Sequence, residues 1–83
     1  MRLKVPYEIM EVEGQSFAVP MEGDGKMIRL SRTARVIFEL LREETDEAAI
    51  VDSLSRCYDV DLDVLKTDVR RVIEIFKEKD VLV

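Results

Sequence analysis

The chain contains no histidine, no tryptophan and only one cysteine, Cys57, among its 83 residues. Without histidine the commonest general base is missing, and no residue in the sequence pattern would activate Cys57 as a nucleophile. A zinc site built from cysteine and histidine is not expected either. We therefore predict a protein that is not an enzyme and that binds neither metal nor cofactor, with Cys57 packed as a small hydrophobic side chain.

Long apolar runs are also missing. No stretch approaches the roughly 18–20 apolar residues that span a bilayer, so no membrane partner is expected. Residues 1–7 lack the apolar centre of a secretory signal. A single cysteine cannot form an internal disulfide, and the cytoplasm is the expected location.

Positive charge is in short supply, with 13 basic against 18 acidic residues, a net charge of −5 and a pI of about 4.7. This balance argues against a nucleic-acid partner, because nucleic acids normally bind to a basic surface. The net charge does not exclude a local basic patch. The length predicts a single domain over residues 1–83 with one modest core and no deep cleft.

The first third of the chain predicts three strands. Residues 7–13 partly alternate apolar and acidic side chains, and residues 15–21 place Phe17, Val19 and Met21 on one face. Between them, the segment Glu13-Gly14-Gln15 predicts a tight turn and hence a hairpin. Pro20 cannot donate to a ladder and is expected at a strand end or edge. After a loop at residues 22–25, residues 27–30 predict a short third strand whose outer edge is only partly paired.

The remainder predicts three helices. Ser31 is a good N-cap for a first helix ending near residues 43–44, Thr45 is expected to cap the second, and Asp61 the third, which runs to about residue 79. Residues 81–83 are apolar and are expected to close onto the sheet or the helices. The predicted fold class is α+β: a winged helix-turn-helix-like domain with a three-stranded antiparallel sheet followed by three helices.

The third helix has a core face and a mixed strip beside it. Six apolar residues fall within an arc of about 100°, and they are Leu62, Leu65, Val69, Val72, Ile73 and Phe76. The strip consists of Val64, Asp68, Arg71, Ile75 and Lys79. It is either a half-covered boundary or the wall of a shallow groove, in which an extended peptide would lie with its backbone against a neighbouring strand edge.

Several segments in this order resemble the PqqD family, the RiPP recognition elements that act on ribosomally synthesised and post-translationally modified peptides. The matching segments are Leu30-Ser31-Arg32-Thr33-Ala34, residues 37–41, Thr45-Asp46-Glu47, Tyr58-Asp59-Val60-Asp61, and residues 68–82. Each is weak alone, but their order and spacing cover nearly the whole chain. Ser31 stands where asparagine is common in the family, and it is an equivalent cap.

The resemblance implies a non-catalytic binding module without a cofactor of its own. Its expected partners are the leader segment of a precursor peptide and a modifying enzyme, expected to be a radical SAM protein with its own iron–sulfur cofactor. In the family the leader adds as a strand to the third strand and lies against the third helix. The implied peptide-binding residues are Met27, Ile28, Arg29, Leu30, Val64, Asp68, Arg71, Ile75 and Lys79.

Two alternatives remain open from the sequence. A winged-helix DNA-binding domain would have a similar fold, but residues 61–71 carry a balanced set of charges where a recognition helix should be basic. A self-associating structural module would pair its exposed strand edge with that of another copy.

Overall fold

Three strands are followed by three helices in a computed structural model that describes residues 1–23 and 25–83. The antiparallel strands β1 (Tyr7–Val12), β2 (Gln15–Pro20) and β3 (Ile28–Leu30) lie in the order β1-β2-β3. The helices are α1 (Arg32–Leu40), α2 (Glu47–Cys57) and α3 (Leu62–Glu78). The predicted α+β class and order of elements are confirmed. The predicted loop at residues 22–25 contains Asp24, which lies outside the described residues.

The predicted hairpin joins β1 to β2 through a two-residue turn. Glu13 has φ of 52° and Gly14 has φ of 79°, and both values lie in the left-handed region. Two such residues between paired strands form the primed turn that matches the natural strand twist. Val12 and Gln15 close the turn, and this fixes the register of all the pairs behind it.

The core lies between one face of the sheet and the three helices, with Phe38 of α1 at its centre. The Phe38 ring meets Tyr7 and Phe76 edge-on, at centroid distances of 5.1 Å and 5.5 Å. Aromatic pairs prefer this geometry. Around them pack Ala18, Ile28 and Leu30 from the sheet and Ile37, Ile50, Leu54, Leu65, Val69 and Ile73 from the helices.

The N-caps agree with the sequence at two of three helices. The Ser31 hydroxyl accepts from the Ala34 N–H at 3.1 Å, and the Asp61 carboxylate accepts from the Asp63 N–H. Thr45 was the wrong choice for α2, because Asp46 accepts from the Ala49 N–H at 2.8 Å. The Thr45 backbone is engaged elsewhere: its N–H donates to Met1, and its carbonyl accepts from the Met1 amine.

The first helix ends at Leu40, earlier than the predicted residues 43–44. A longer helix would have to use the Leu41 carbonyl, which instead accepts from the Leu3 N–H at 2.9 Å. The Arg42 guanidinium turns back to donate to the Tyr7 carbonyl at 2.8 Å. Contacts with the first seven residues therefore stop the helix.

Two predictions about burial were wrong. Leu62, assigned to the core face of α3, is 50% exposed, and Val72 is only half-buried, whereas the other four residues of that face are buried. Cys57 does not pack inside but is exposed at the last residue of α2. Both Leu62 and Cys57 lie at helix ends. A helical wheel tells which face of the helix a residue lies on, but not whether other elements extend far enough to bury it.

The two ends of the described chain pair with each other. The Lys4 N–H donates to the Val81 carbonyl at 2.9 Å, the Val83 N–H donates to Arg2 at 2.8 Å, and Leu3 and Leu82 form a bridge. Val81 is thereby 1% exposed. The expected packing is confirmed for Val81 and Leu82 but not for Val83, which is 64% exposed, and the N-terminal segment is a partner that the sequence did not predict. In the described ranges no helix is long and apolar enough to cross a membrane.

Candidate functional site

The free edge of β3 exposes the backbone of Arg29. Val12 and Gln15 close a two-residue turn, so they are a hydrogen-bonded pair, and such pairs alternate along the ladder. The backbone groups of Ser16 and Ala18 consequently face β3, where they meet Leu30 and Ile28. Arg29, between those two, directs its N–H and C=O away from β2. No other described strand lies there to receive them.

Pro20 explains why β3 is so short. By the same alternation the backbone nitrogen of Pro20 faces β3, but proline has no N–H to donate. The ladder therefore ends at the pair of Ala18 and Ile28. Proline's predicted place at a strand end is confirmed. Met27, the residue just before β3, is 61% exposed.

A first open cavity, of about 540 Å³, joins the start of β3 to the end of α3. Its apolar lining comes from Val5, Tyr7, Pro20, Met27 and Ile28. Its charged lining comes from Lys4, Glu22, Lys26, Lys79 and Asp80. Gly25 keeps the cavity open, since a Cβ there would lie 3.1 Å from Cγ of Pro20 and narrow the space. We call this the β3-start cavity.

Tyr7 contributes a phenol group to the lining of this cavity. Burial raises the pKa of Tyr7 above its ordinary value near 10, the negative charge of Asp80 raises it further, and Lys4 opposes the shift. The phenol is thus protonated at neutral pH and can donate a hydrogen bond to a bound group.

A second open cavity, of about 560 Å³, lies at the other end of β3. Its charged lining consists of Glu11, Arg29, Arg32 and Arg35. Arg35 pairs with Glu11 and donates to the Ser16 hydroxyl at 3.3 Å. We call this the β3-end cavity. It is the more basic of the two, and Leu30 contributes to its wall.

The mixed strip of α3 is exposed along its whole length. Val64 is 52% exposed and Ile75 is 41% exposed, although both are large apolar residues. Of the strip, Lys79 lines the β3-start cavity with Met27 and Ile28. Arg71 lines a third groove on α3 itself, and Val64, Asp68 and Ile75 line none of these three cavities.

The lengths of the two elements account for this division. At about 1.5 Å per residue the 17 residues of α3 extend over roughly 25 Å, whereas three residues of strand cover only about 10 Å. A three-residue edge can face only part of such a helix. The structure therefore brings together Met27, Ile28 and Lys79, and leaves most of the strip beyond the strand.

Sequence reasoning missed the part of the β3-start cavity that comes from outside β3 and α3. Among these residues are Lys4, Val5, Tyr7, Pro20 and Lys26. No role in the site was predicted for Lys4 and Val5. Only the long-range pairing with residues 81–83 puts them beside the cavity, and no local pattern signals such a pairing.

Comparison with solved structures supports the same fold. The structure of TbiB1 in complex with the TbiA(beta) leader peptide superimposes with a TM-score of 0.77, at 21% sequence identity. The match covers 99% of this chain and 94% of that one. At this identity the likeness shows a shared fold and no more. No curated protein matches the sequence at a significant level.

The comparison with family models establishes membership of a family and not the fold alone. The model of the family of coenzyme PQQ synthesis protein D (PqqD) matches residues 9–82, nearly the whole chain. The chain therefore belongs to the PqqD family.

Proposed function

We propose that this chain binds the leader segment of a ribosomally synthesised precursor peptide as an added strand on the free edge of β3. The observation that carries the proposal is the outward-facing N–H and C=O of Arg29, between two open cavities. Strand addition to an open edge is a common way of recognising an extended peptide. Membership of the PqqD family supports it, as does the similar fold of TbiB1, which was solved with a leader peptide.

The added strand would be held by main-chain hydrogen bonds and selected by side-chain contacts. The full set of proposed contact residues is Met27, Ile28, Arg29, Leu30, Val64, Asp68, Arg71, Ile75 and Lys79. The exposed apolar side chains of Val64 and Ile75 support the α3 part of this set, because a bound peptide would cover them. The structure adds Tyr7 and Pro20 as candidate contacts in the β3-start cavity.

The finer assignments follow from the family resemblance. The domain, over residues 1–83, would act without catalysis and without a cofactor, in the cytoplasm. It would present the leader to a modifying enzyme, which we propose is a radical SAM protein. Co-purification of this chain with a maturase encoded beside it, strengthened by adding the leader peptide, is the expected result. A maturase that modifies the precursor equally well without the chain would contradict this role.

A titration followed by NMR tests the binding site. The ligand is a synthetic leader peptide of a precursor encoded next to the gene. We expect backbone amide shifts to cluster at residues 27–30 and along residues 64–79. Shifts clustered on α2 would show that the peptide binds elsewhere.

A proline at Arg29 tests strand addition directly. Arg29→Pro removes the outward N–H without breaking a bond to β2, so leader binding should be lost while the circular dichroism spectrum is kept. Arg29→Ala is the matched control, because it removes the same side chain but keeps the outward N–H. It should lower affinity no more than about fivefold. Binding that survives Arg29→Pro, or that is lost equally with Arg29→Ala, would refute the assignment of binding to the backbone edge of β3.

Self-association is the second candidate function, and the outer face of the sheet favours it. Met10 and Val12 of β1 and Met21 after β2 are about half exposed or more, and so is Met27 just before β3. Exposed apolar patches on a small domain often mark an interface. Sedimentation should give a mass that rises with protein concentration and does not respond to leader peptide if a second copy is the occupant.

A further inference from the structure

The free edge of β3 is flanked by basic side chains although the chain is acidic as a whole. The linings of the two cavities contain six basic residues, Lys4, Lys26, Arg29, Arg32, Arg35 and Lys79. They contain three acidic residues among those that the structure describes, Glu11, Glu22 and Asp80. Over the whole chain the ratio is reversed, with 18 acids and 13 bases.

Two of these three acidic residues already form ion pairs with basic residues of the same cavities. Asp80 pairs with Lys4, and Glu11 pairs with Arg35. Four cations remain exposed and make no ion pair with any described residue, and these are Lys26, Arg29, Arg32 and Lys79. Only Glu22 opposes them within the two cavities as described.

The acids are concentrated on other parts of the surface. Glu39, Glu43, Glu44, Asp46 and Glu47 lie at the connection between α1 and α2, and Asp59, Asp61 and Asp63 lie at the start of α3. An acidic peptide would be repelled by these regions and attracted to the β3 edge. Such a distribution steers a charged partner and sets its register.

We propose that the segment recognised at the β3 edge is acidic, with an aspartate or glutamate at each end of the stretch that pairs with β3. This inference rests on the proposed function. At one end the carboxylate meets Lys26 and Lys79 at the mouth of the β3-start cavity. At the other end it meets Arg29 and Arg32, whose guanidinium groups can hold a carboxylate through two parallel hydrogen bonds.

The four cations are exposed, and this limits how much each can contribute to peptide affinity. Exposed ion pairs are individually weak, so that each contributes roughly 1.5- to 5-fold to affinity. Several together give on the order of tenfold. Salt screens them over about 10 Å at 0.1 M, and the preference should therefore fade as salt rises.

Selection from a displayed library of random 15-residue peptides tests the inference without knowledge of the natural leader. Binders that are enriched in aspartate and glutamate, and that are lost with Arg29→Pro, would support it. Binders that are lost with Arg29→Pro but show no acidic enrichment would overturn it while the proposed function stands. A library that yields no Arg29→Pro-sensitive binder would contradict the proposed function itself, and this inference with it.

Charge reversal on the protein gives the second arm of the experiment. For a selected peptide, the double variant Lys26→Glu/Arg32→Glu should lower affinity about tenfold at low salt and far less at 0.5 M NaCl. Lys66→Glu/Lys77→Glu is the matched control with the same change in net charge, on α3 and outside both cavities, and it should change affinity less than twofold. Repeating the selection on the Lys26→Glu/Arg32→Glu variant should shift the enrichment toward lysine and arginine. Equal affinities for that variant and the control would refute the proposal.

Discussion

At the scale of single residues, Tyr7 connects the core to the candidate site. Its ring packs edge-on against Phe38, while its hydroxyl belongs to the lining of the β3-start cavity. The sequence alone does not single out Tyr7 as a site residue. Lys4 and Asp80, which are 76 residues apart in the chain, meet beside the ring.

The raised pKa of Tyr7 predicts a pH dependence. A group whose pKa is higher in the folded state contributes stability that is present below its unfolded pKa, near 10, and lost as pH rises through the folded pKa. Tyr7→Phe should therefore flatten the loss of stability above about pH 10. Urea denaturation of both proteins between pH 8 and 11 measures this, and spectrophotometric titration should lose its later phenolate step. Two parallel stability curves would contradict the assignment.

At the scale of elements, the sequence predicted what local patterns determine. The turn at Glu13 and Gly14, the short edge strand after Pro20 and the caps Ser31 and Asp61 all depend on residues near one another in the chain. Where distant segments decide, the predictions were wrong. Leu3 ends α1 early, and Met1 engages the backbone of Thr45, so that the neighbouring Asp46 becomes the cap.

The choice between two adjacent capping residues can be tested. Asp46→Ala leaves the Ala49 N–H without its acceptor and should lower the free energy of unfolding by about 1 kcal/mol. Thr45→Ala keeps the backbone bonds to Met1 and should change it by less than half as much. Chemical denaturation of the two variants measures the difference. The reverse order of effects would restore Thr45 as the cap.

At the scale of the whole molecule, local sequence patterns predict only the part of the candidate site that comes from β3 and α3. The residues of β3 and α3 could be named from pattern and resemblance, because each element carries its own periodicity. The residues Val5 and Tyr7, which line the floor of the β3-start cavity, could not be predicted in this way. They come from the N-terminal segment, which residues 81–83 hold in place. Tertiary pairing of the two ends therefore shapes a surface that neither end indicates alone.

This dependence predicts that Val81 holds the two ends of the chain together beside the β3-start cavity. Val81 is 1% exposed, so Val81→Ala should lower the free energy of unfolding by about 2 kcal/mol through lost burial and the cavity it leaves. Val83→Ala is the matched control, because Val83 is 64% exposed and its backbone bond to Arg2 is kept. Hydrogen exchange should show faster opening at Lys4 and Val83 in the Val81 variant, since their amides bond across the pairing that Val81 anchors. If both amides exchange at unchanged rates while global stability falls, the two ends are held by other contacts, and the cavity floor does not depend on Val81.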